Sequence, residues 1–438
     1  MKKIIALTVF SLIFYSISVS QVPNPALVGY WHNWNTSSAP YIQLNQIDTS
    51  YNIVDLAFAL PKTGTDYDME FSPTQVTSAV LISQIQTLQT KGKKVIISMG
   101  GATAAISLDN FTERDTFISS MNTIINTYGF DGIDIDFEGS SVSVSGGAIS
   151  APTDAKIINL IYAIKKIMSD YYSANGKHLI LTMAPETAFV QGGMSSYGGI
   201  WGAYLPIIDA LRDSLDILHV QLYNSGSMFG IDGNIYTQGT ADFIVAMTEA
   251  IIQGFNTTGG MFNGLPASKV AVGLPACSSA AGGGYTDTAI VKSALEYLLG
   301  TGTKPGSYTL AKSSGHPTLR GMMTWSINWD AANSCNGTYS FSKNYKSIFG
   351  NSSTTSIANY EIPNPDFIIF PNPTESIIQI ESSELTEAQE LVVIINSIGE
   401  IQFSQKISLG SNQINTTNLK SGIYFIRYRN NLKKFIKI

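Results

Sequence analysis

The sequence predicts an α/β protein: a (β/α)8 TIM barrel followed by a small all-β sandwich. Eight short apolar segments recur with helical stretches between them, at a spacing of roughly 40 residues, as in strand–helix units of such barrels. Most of them begin apolar and end in polar or aromatic residues, and barrel chemistry sits at the C-terminal strand ends. Near Gly350 the composition breaks, and short strand-like runs between turn signals take over.

The candidate strands are Leu27–His32, Ile53–Leu60, Lys94–Gly101, Gly132–Gly139, His178–Glu186, Ile217–Asn224, Lys269–Ala276 and Gly321–Asn328. Runs such as Val95-Ile-Ile97 fit parallel strands buried on both faces. Helices are predicted over Ser78–Thr90, Glu113–Tyr128, Ala155–Tyr172 and Ala241–Gln253. Asn351 to Pro365 is rich in Ser, Thr, Asn and Pro, as linkers are. Beyond it, Phe367–Phe370, Ile377–Ile380, Leu391–Ile395, Glu400–Lys406 and Ile423–Arg429 read as strands. The expected organisation is a signal peptide at 1–20, a barrel at 21–350, a linker at 351–365 and a sandwich at 366–438.

Lys2 and Lys3 precede an apolar run from Ile4 to Tyr15, and small residues follow at Ser16, Ser18 and Ser20. That pattern predicts a secretory signal cut near Ser20, too short for a membrane span. The mature chain is expected to be exported, monomeric and without a membrane span. Of the 438 residues 44% are hydrophobic and 13% charged, so a sizeable core is available. Net charge is −6 and no basic run precedes the last residues, which argues against nucleic acid as a partner. Low charge with 11% aromatic residues suits neutral, polar, ring-shaped ligands. The two Cys and four His show no metal-ligand spacing, so neither metal nor cofactor is expected. Cys277 and Cys335 follow strands seven and eight; they are either two buried thiols or an export-compatible disulfide.

The chemistry is concentrated in Asp131-Gly-Ile-Asp-Ile-Asp-Phe-Glu-Gly139. Alternation on a strand puts Asp134, Asp136 and Glu138 on one face and Ile133, Ile135 and Phe137 on the other. Crowded carboxylates are costly for stability but suit acid/base work, because like charges hold a proton on one member. The apolar flank argues against a solvated acidic face. A calcium loop of the helix–loop–helix kind is disfavoured because Phe137 stands where it needs Gly.

With these residues in view, positions 24 to 350 resemble the chitinases of glycoside hydrolase family 18. The Asp-x-x-Asp-x-Asp-x-Glu signature is complete at Asp131, Asp134, Asp136 and Glu138. Ser98-Met-Gly-Gly101, Gln221-x-Tyr-Asn224 and Met323-Thr-Trp325 also match. The resemblance implies hydrolysis of β-1,4 bonds between N-acetylglucosamine units with retention, on chitin or chito-oligosaccharides. Glu138 would be the acid/base. Asp136 would orient the substrate's acetamido group, which supplies the nucleophile. Asp134 would share a proton with Asp136, and the Tyr223 hydroxyl would hold the acetamido oxygen. Trp325 would form the sugar-binding floor. Met183, Gln221, Asn224, Tyr30 and Phe58 are further substrate-binding candidates, and Asp131 is read as structural.

Ala276 to Gly321 has no room for the extra α+β insertion that walls a deep tunnel in some family members. An open cleft and internal cleavage are therefore expected. An endo-β-N-acetylglucosaminidase of N-glycans shares the acids and stays open as an alternative, as does a chitin-binding lectin. Retained Glu138 argues against the lectin. The C-terminal region resembles type A sorting domains of the type IX secretion system through Pro371-Asn-Pro373, Asn418-Leu-Lys-Ser-Gly-Ile-Tyr-Phe425 and Lys433-Lys-Phe-Ile-Lys-Ile438. It implies the secretion machinery as a partner.

Overall fold

Alternation of side chains along strands buried on both faces organises the first unit into an inner and an outer layer. The computed structural model describes residues 22–332, 334–350, 367–382, 390–396, 400–408, 410–428 and 431–438. The expected signal segment 1–20 and linker 351–365 lie outside them. The chain divides into two units, one ending at Asn351 and the other beginning at Ser352.

In the first unit the eight expected segments are all strands: β1 Ala26–His32, β2 Ile53–Pro61, β3 Lys94–Gly100, β4 Gly132–Asp136, β5 Ile180–Met183, β6 Ile217–Leu218, β7 Ala271–Pro275 and β8 Gly321–Trp325. They form one parallel sheet in the order β7-β8-β1-β2-β3-β4-β5-β6. Parallel bridges Leu218–Val270 and Gln221–Gly273 join its two ends. Val28, Ile53, Ile96, Ile180, Ile217 and Met323 fill the interior. Leu27, Val54, Ile97, Ile133 and Leu181 face the helices instead, against Leu81, Phe117, Ile164 and Phe243. Each such fully buried side chain contributes about 1.5–3 kcal/mol.

The helices are α1 Ser78–Thr90, α2 Phe111–Tyr128, α3 Ala155–Asn175, α4 Leu205–Leu211, α5 Ala241–Gln253, α6 Thr288–Leu298, α7 Ile327–Ala331 and α8 Ser340–Phe349. Helix α2 begins two residues earlier than its apolar pattern suggests, because Asn110 caps it. Asn110 accepts from the Glu113 N–H, and the Glu113 carboxylate accepts from the Asp109 N–H. Gly129 ends the helix at φ 69°. Gly321 permits closure between β8 and β1: a Cβ there would meet the Ala26 carbonyl oxygen at 1.9 Å.

Four ladders stop three or more residues short of their expected ends, β8 because Ser326 caps α7 and the other three for further local reasons. β5 ends before Pro185, which has no N–H to give its neighbour. β6 is correspondingly short, although the His219 and Gln221 N–H groups still donate to the Met183 and Pro185 carbonyls. β4 ends at Asp136 because the Tyr204 hydroxyl takes both backbone groups of Phe137. Glu138 thus lies just past the ladder, still extended at φ −111° and ψ 171°.

Cys277 and Cys335 form a disulfide with a Cα–Cα distance of 5.4 Å. It ties the loop after β7 to the segment after α7, against Trp325 and Trp329. Between β7 and β8 the described elements are a short 3-10 turn and α6, with no additional sheet.

The second unit is all-β. Its strands are β9 Phe367–Phe370, β10 Ile377–Ser382, β11 Glu390–Asn396, β12 Ile401–Ile407, β13 Gly410–Asn415, β14 Gly422–Tyr428 and β15 Asn431–Lys437. They make two antiparallel sheets, β9-β10-β13 and β12-β11-β14-β15. Ile378, Ile380 and Ile414 of one sheet share a core with Val392, Ile394, Ile426 and Phe435 of the other. Strands β13 and β15 were not expected. Asn- and Lys-rich runs such as Gly410-Ser-Asn-Gln-Ile414 carry little β-propensity and are recruited by pairing.

The disulfide closes a 58-residue separation. A Cys277→Ala/Cys335→Ala variant is expected to lose roughly 2–4 kcal/mol of stability, read by urea unfolding. Wild-type stability in that variant would contradict the assignment.

Candidate active site

The inward series continues along β4 as Asp134, Asp136 and Glu138, deepest first. Asp134 is fully buried. It accepts hydrogen bonds from Tyr30 at 2.6 Å, Ser98 at 2.7 Å and Thr182 at 2.6 Å. The donors come from β1, β3 and β5, so three strands are pinned to one carboxylate. Beneath it lie Asp55 and His219, both fully buried, with His219 Nε2 3.7 Å from an oxygen of Asp55 and of Asp134. Burial, then the Asp134 charge, pushes the Asp55 carboxyl well up. Burial lowers the His219 pKa against an opposing pull from Asp134. Both therefore favour their neutral forms in the barrel floor.

Asp136 is also buried, and its carboxyl is pushed well up by burial, then by the charges of Glu138 and Asp134. It hydrogen-bonds Glu138. The Gln221 amide donates to Asp136 at 2.9 Å, to Glu138 at 3.0 Å and to the Ala184 carbonyl at 2.9 Å. Glu138 is only partly buried and opens into the cleft.

That cleft has a volume of about 520 Å³ and is lined by Asp136, Glu138, Tyr223, Trp34, Phe58 and Trp325, among others. Trp325 and Phe58 stack at 5.8 Å with 15° between planes. Trp34 stacks on His32 at 4.5 Å and 10°. Burial drives the His32 pKa down to about 3, so the ring is a neutral part of this aromatic floor. A groove of about 760 Å³ beside α2 is larger, but hydroxyls, the exposed Lys62–Asp68 ion pair and single acids line it, and it lacks the strand-end carboxyl cluster.

Against this geometry the sequence comparisons are decisive. Residues 26–375 match glycosyl hydrolases family 18. The chain belongs to glycosyl hydrolase family 18. Residues 368–438 match the secretion system C-terminal sorting domain. Chitinase Chi52 of Paenibacillus xylanexedens is 49% identical over 310 residues, 70% of this chain and 58% of that protein. Chitinase D of Niallia circulans is 48% identical over 322 residues, 71% of this chain and 60% of that protein. The chain thus spans about three-fifths of the length of these relatives. A family GH18 chitinase crystal structure from Chromobacterium violaceum aligns at TM-score 0.67 and 36% identity, covering 76% of this chain and 85% of that one.

In this family 18 barrel, Asp136, Glu138, Tyr223, Gln221 and Trp325 come together at one mouth with Asp134 buried beneath them, and one expectation needs revision. Met183 does not reach the cleft. Thr182 and Ala184 point inward, so period two turns Met183 out into the helix-facing core. Asp134 accepts from three hydroxyls, while Asp136 hydrogen-bonds Glu138. Tyr30 lines the cleft but gives its hydroxyl to Asp134, which makes it a brace. Asn224 lines the cleft from a left-handed backbone at φ 54°, and its side-chain oxygen accepts from the Gly283 N–H. Asp131 accepts from the Val95 N–H and Gln89 at the opposite end of β4, a structural contact.

The sequence reading missed Glu186, Trp34 and the Asp55–His219 pair. Glu186 continues the inward series Thr182, Ala184, so period two could have found it. Trp34 follows the end of β1, where no periodicity applies. Asp55 and His219 sit 164 positions apart, and only barrel closure brings them together.

Removing one Asp134 donor leaves a buried carboxylate under-satisfied. Tyr30→Phe is expected to cost about 1–3 kcal/mol in urea unfolding. A change under ~0.5 kcal/mol would mean the bond contributes no net stability.

Proposed function

We propose that this chain is a secreted, endo-acting, retaining chitinase that uses Glu138 as acid/base. The observation carrying the proposal is the hydrogen-bonded run Asp136, Glu138, Glu186 at the mouth. Glycosidases with two protein carboxylates hold them ~5–9.5 Å apart on either side of the sugar. Here Asp136 and Glu186 each contact Glu138, so neither stands across a sugar from it. That spacing supports a nucleophile supplied by the substrate, the 2-acetamido oxygen of N-acetylglucosamine.

In this reading Glu138 protonates the leaving oxygen while Asp136 turns to the acetamido N–H. The Tyr223 hydroxyl, pushed well up by burial and then the Asp136 charge, stays protonated and can donate to the acetamido oxygen. Glu138 then takes a proton from the water that opens the oxazolinium ion. Trp325 and Phe58 offer a flat apolar floor to the pyranose face. The names of the two curated relatives support chitin over N-glycans. The modest β7–β8 connection supports an open cleft and internal cleavage. The sorting-domain match supports export, and no helix of the described residues is long and apolar enough to cross a membrane.

Glu138→Gln is expected to lose at least ~10²-fold in kcat on chito-oligosaccharides. Wild-type-like rates in that variant would refute the acid/base assignment. Cleavage of a high-mannose glycoprotein, but not of chitin oligomers, would instead establish the N-glycan enzyme. Digestion of long soluble chitin is expected to give a spread of product lengths early on; dimers alone would exclude endo action. Attachment of residues 366–438 to a reporter is expected to direct its export, whereas retention on chitin would indicate a binding module.

A further inference from the structure

Glu186 has no part in the mechanism above, yet it shares the cleft with the acid/base. It lies three residues past β5, partly buried, and lines the cleft. Its carboxyl hydrogen-bonds that of Glu138. Its backbone bridges to Gln221, the residue whose amide holds Asp136 and Glu138. The position of Glu186 is thus set by the same segment that positions the catalytic pair.

The charges around Glu186 are all of one sign. Glu138 faces it from the segment after β4, with Asp136 beyond. Tyr223 faces it from the segment after β6. Among the described residues, no lysine or arginine lines this cleft. A hydrogen bond between two carboxyls needs a proton on one of them. Burial, followed by repulsion from Glu138, raises the Glu186 pKa to about 7, so that proton is held near neutral pH.

We propose that Glu186 is a positioning residue that shares one proton with Glu138, holding the acid/base in place and extending the alkaline limb of activity. This rests on the assignment of Glu138 as acid/base. As pH rises, a lone carboxyl would lose its proton outright. A second carboxylate in contact penalises that loss, and the acid form of the pair persists to higher pH. The penalty is greatest with both groups ionised, so the effect appears on the alkaline side and leaves the acid limb nearly unchanged.

The full chain is to be assayed on a soluble chito-oligosaccharide across pH, as wild type, Glu186→Gln and Glu186→Ser. In both variants the alkaline limb is expected to move toward acid by about one pH unit, a loss of ~10-fold on that limb. In Glu186→Gln the plateau kcat should stay within ~3-fold, because an amide still hydrogen-bonds Glu138. In Glu186→Ser it should fall further. A structural role alone would lower the plateau without moving the limb. Limbs that superpose on wild type in whichever variant folds would overturn the proposal. Carbon NMR titration of labelled carboxyls provides a readout independent of turnover. Glu186 should titrate near 7 in wild type and at lower pH in Glu138→Gln, where the neighbouring charge is gone. A Glu186 titration that Glu138→Gln leaves unmoved would overturn the proposal even if the substrate were wrong. Retained activity in Glu138→Gln would instead remove the acid/base reading on which it rests.

Discussion

Three hydroxyls from three strands converge on the Asp134 carboxylate, and the active-site geometry depends on that contact. Tyr30, Ser98 and Thr182 each donate at 2.6–2.7 Å. A slip of one residue in any of these strands would turn its hydroxyl to the outer face and leave an unsatisfied buried carboxylate. The contact therefore fixes the register of β1, β3, β4 and β5 at the level of the floor. Asp136 and Glu138 follow two and four residues later on the same strand line, so their depths in the mouth are set as well.

Above that floor the problem changes from satisfying one charge to limiting several. Asp136, Glu138 and Glu186 crowd a cleft without a cation among its described lining residues. One neutral donor, Gln221, serves two of them. The remaining electrostatic cost is met by protonation: burial and mutual repulsion push Asp136 up, and push Glu186 to about 7. A positive side chain would stabilise the resting site but would also hold the carboxyls ionised and weaken proton donation. The absence of one from the cleft lining fits acid/base work better than maximum stability.

The parts legible in the sequence were those governed by a local period. Eight strand segments could be recognised, because alternation within each and turn chemistry between them are local signals. The same rule assigned Asp134, Asp136 and Glu138 to one face. Where that rule was applied incompletely the reading failed: Met183 follows Thr182 and must point outward, whereas Glu186 falls in phase. Strand lengths were overestimated where a side chain intervened from elsewhere, as Tyr204 does at Phe137. The Asp55–His219 contact carries no local signal, because it depends on two distant strands meeting inside the barrel.

The early ends of the ladders are part of how the site is made. A residue inside a parallel ladder has both backbone groups committed to neighbours, and its side chain is fixed perpendicular to the sheet. Glu138, Gln221 and Glu186 all lie past the continuous ladders, joined to the sheet by isolated bridges or by none. Each can tilt toward the cleft axis, as the contacts from Gln221 to both acids require. Pro185 and Tyr204 enforce this by withholding an N–H and by capturing the Phe137 backbone. Asp134, one step deeper, remains inside the ladder, where rigidity is needed. Glu138, Gln221 and Glu186 thus reach the cleft from beyond the ladders, while the carboxylate that anchors them stays within the sheet.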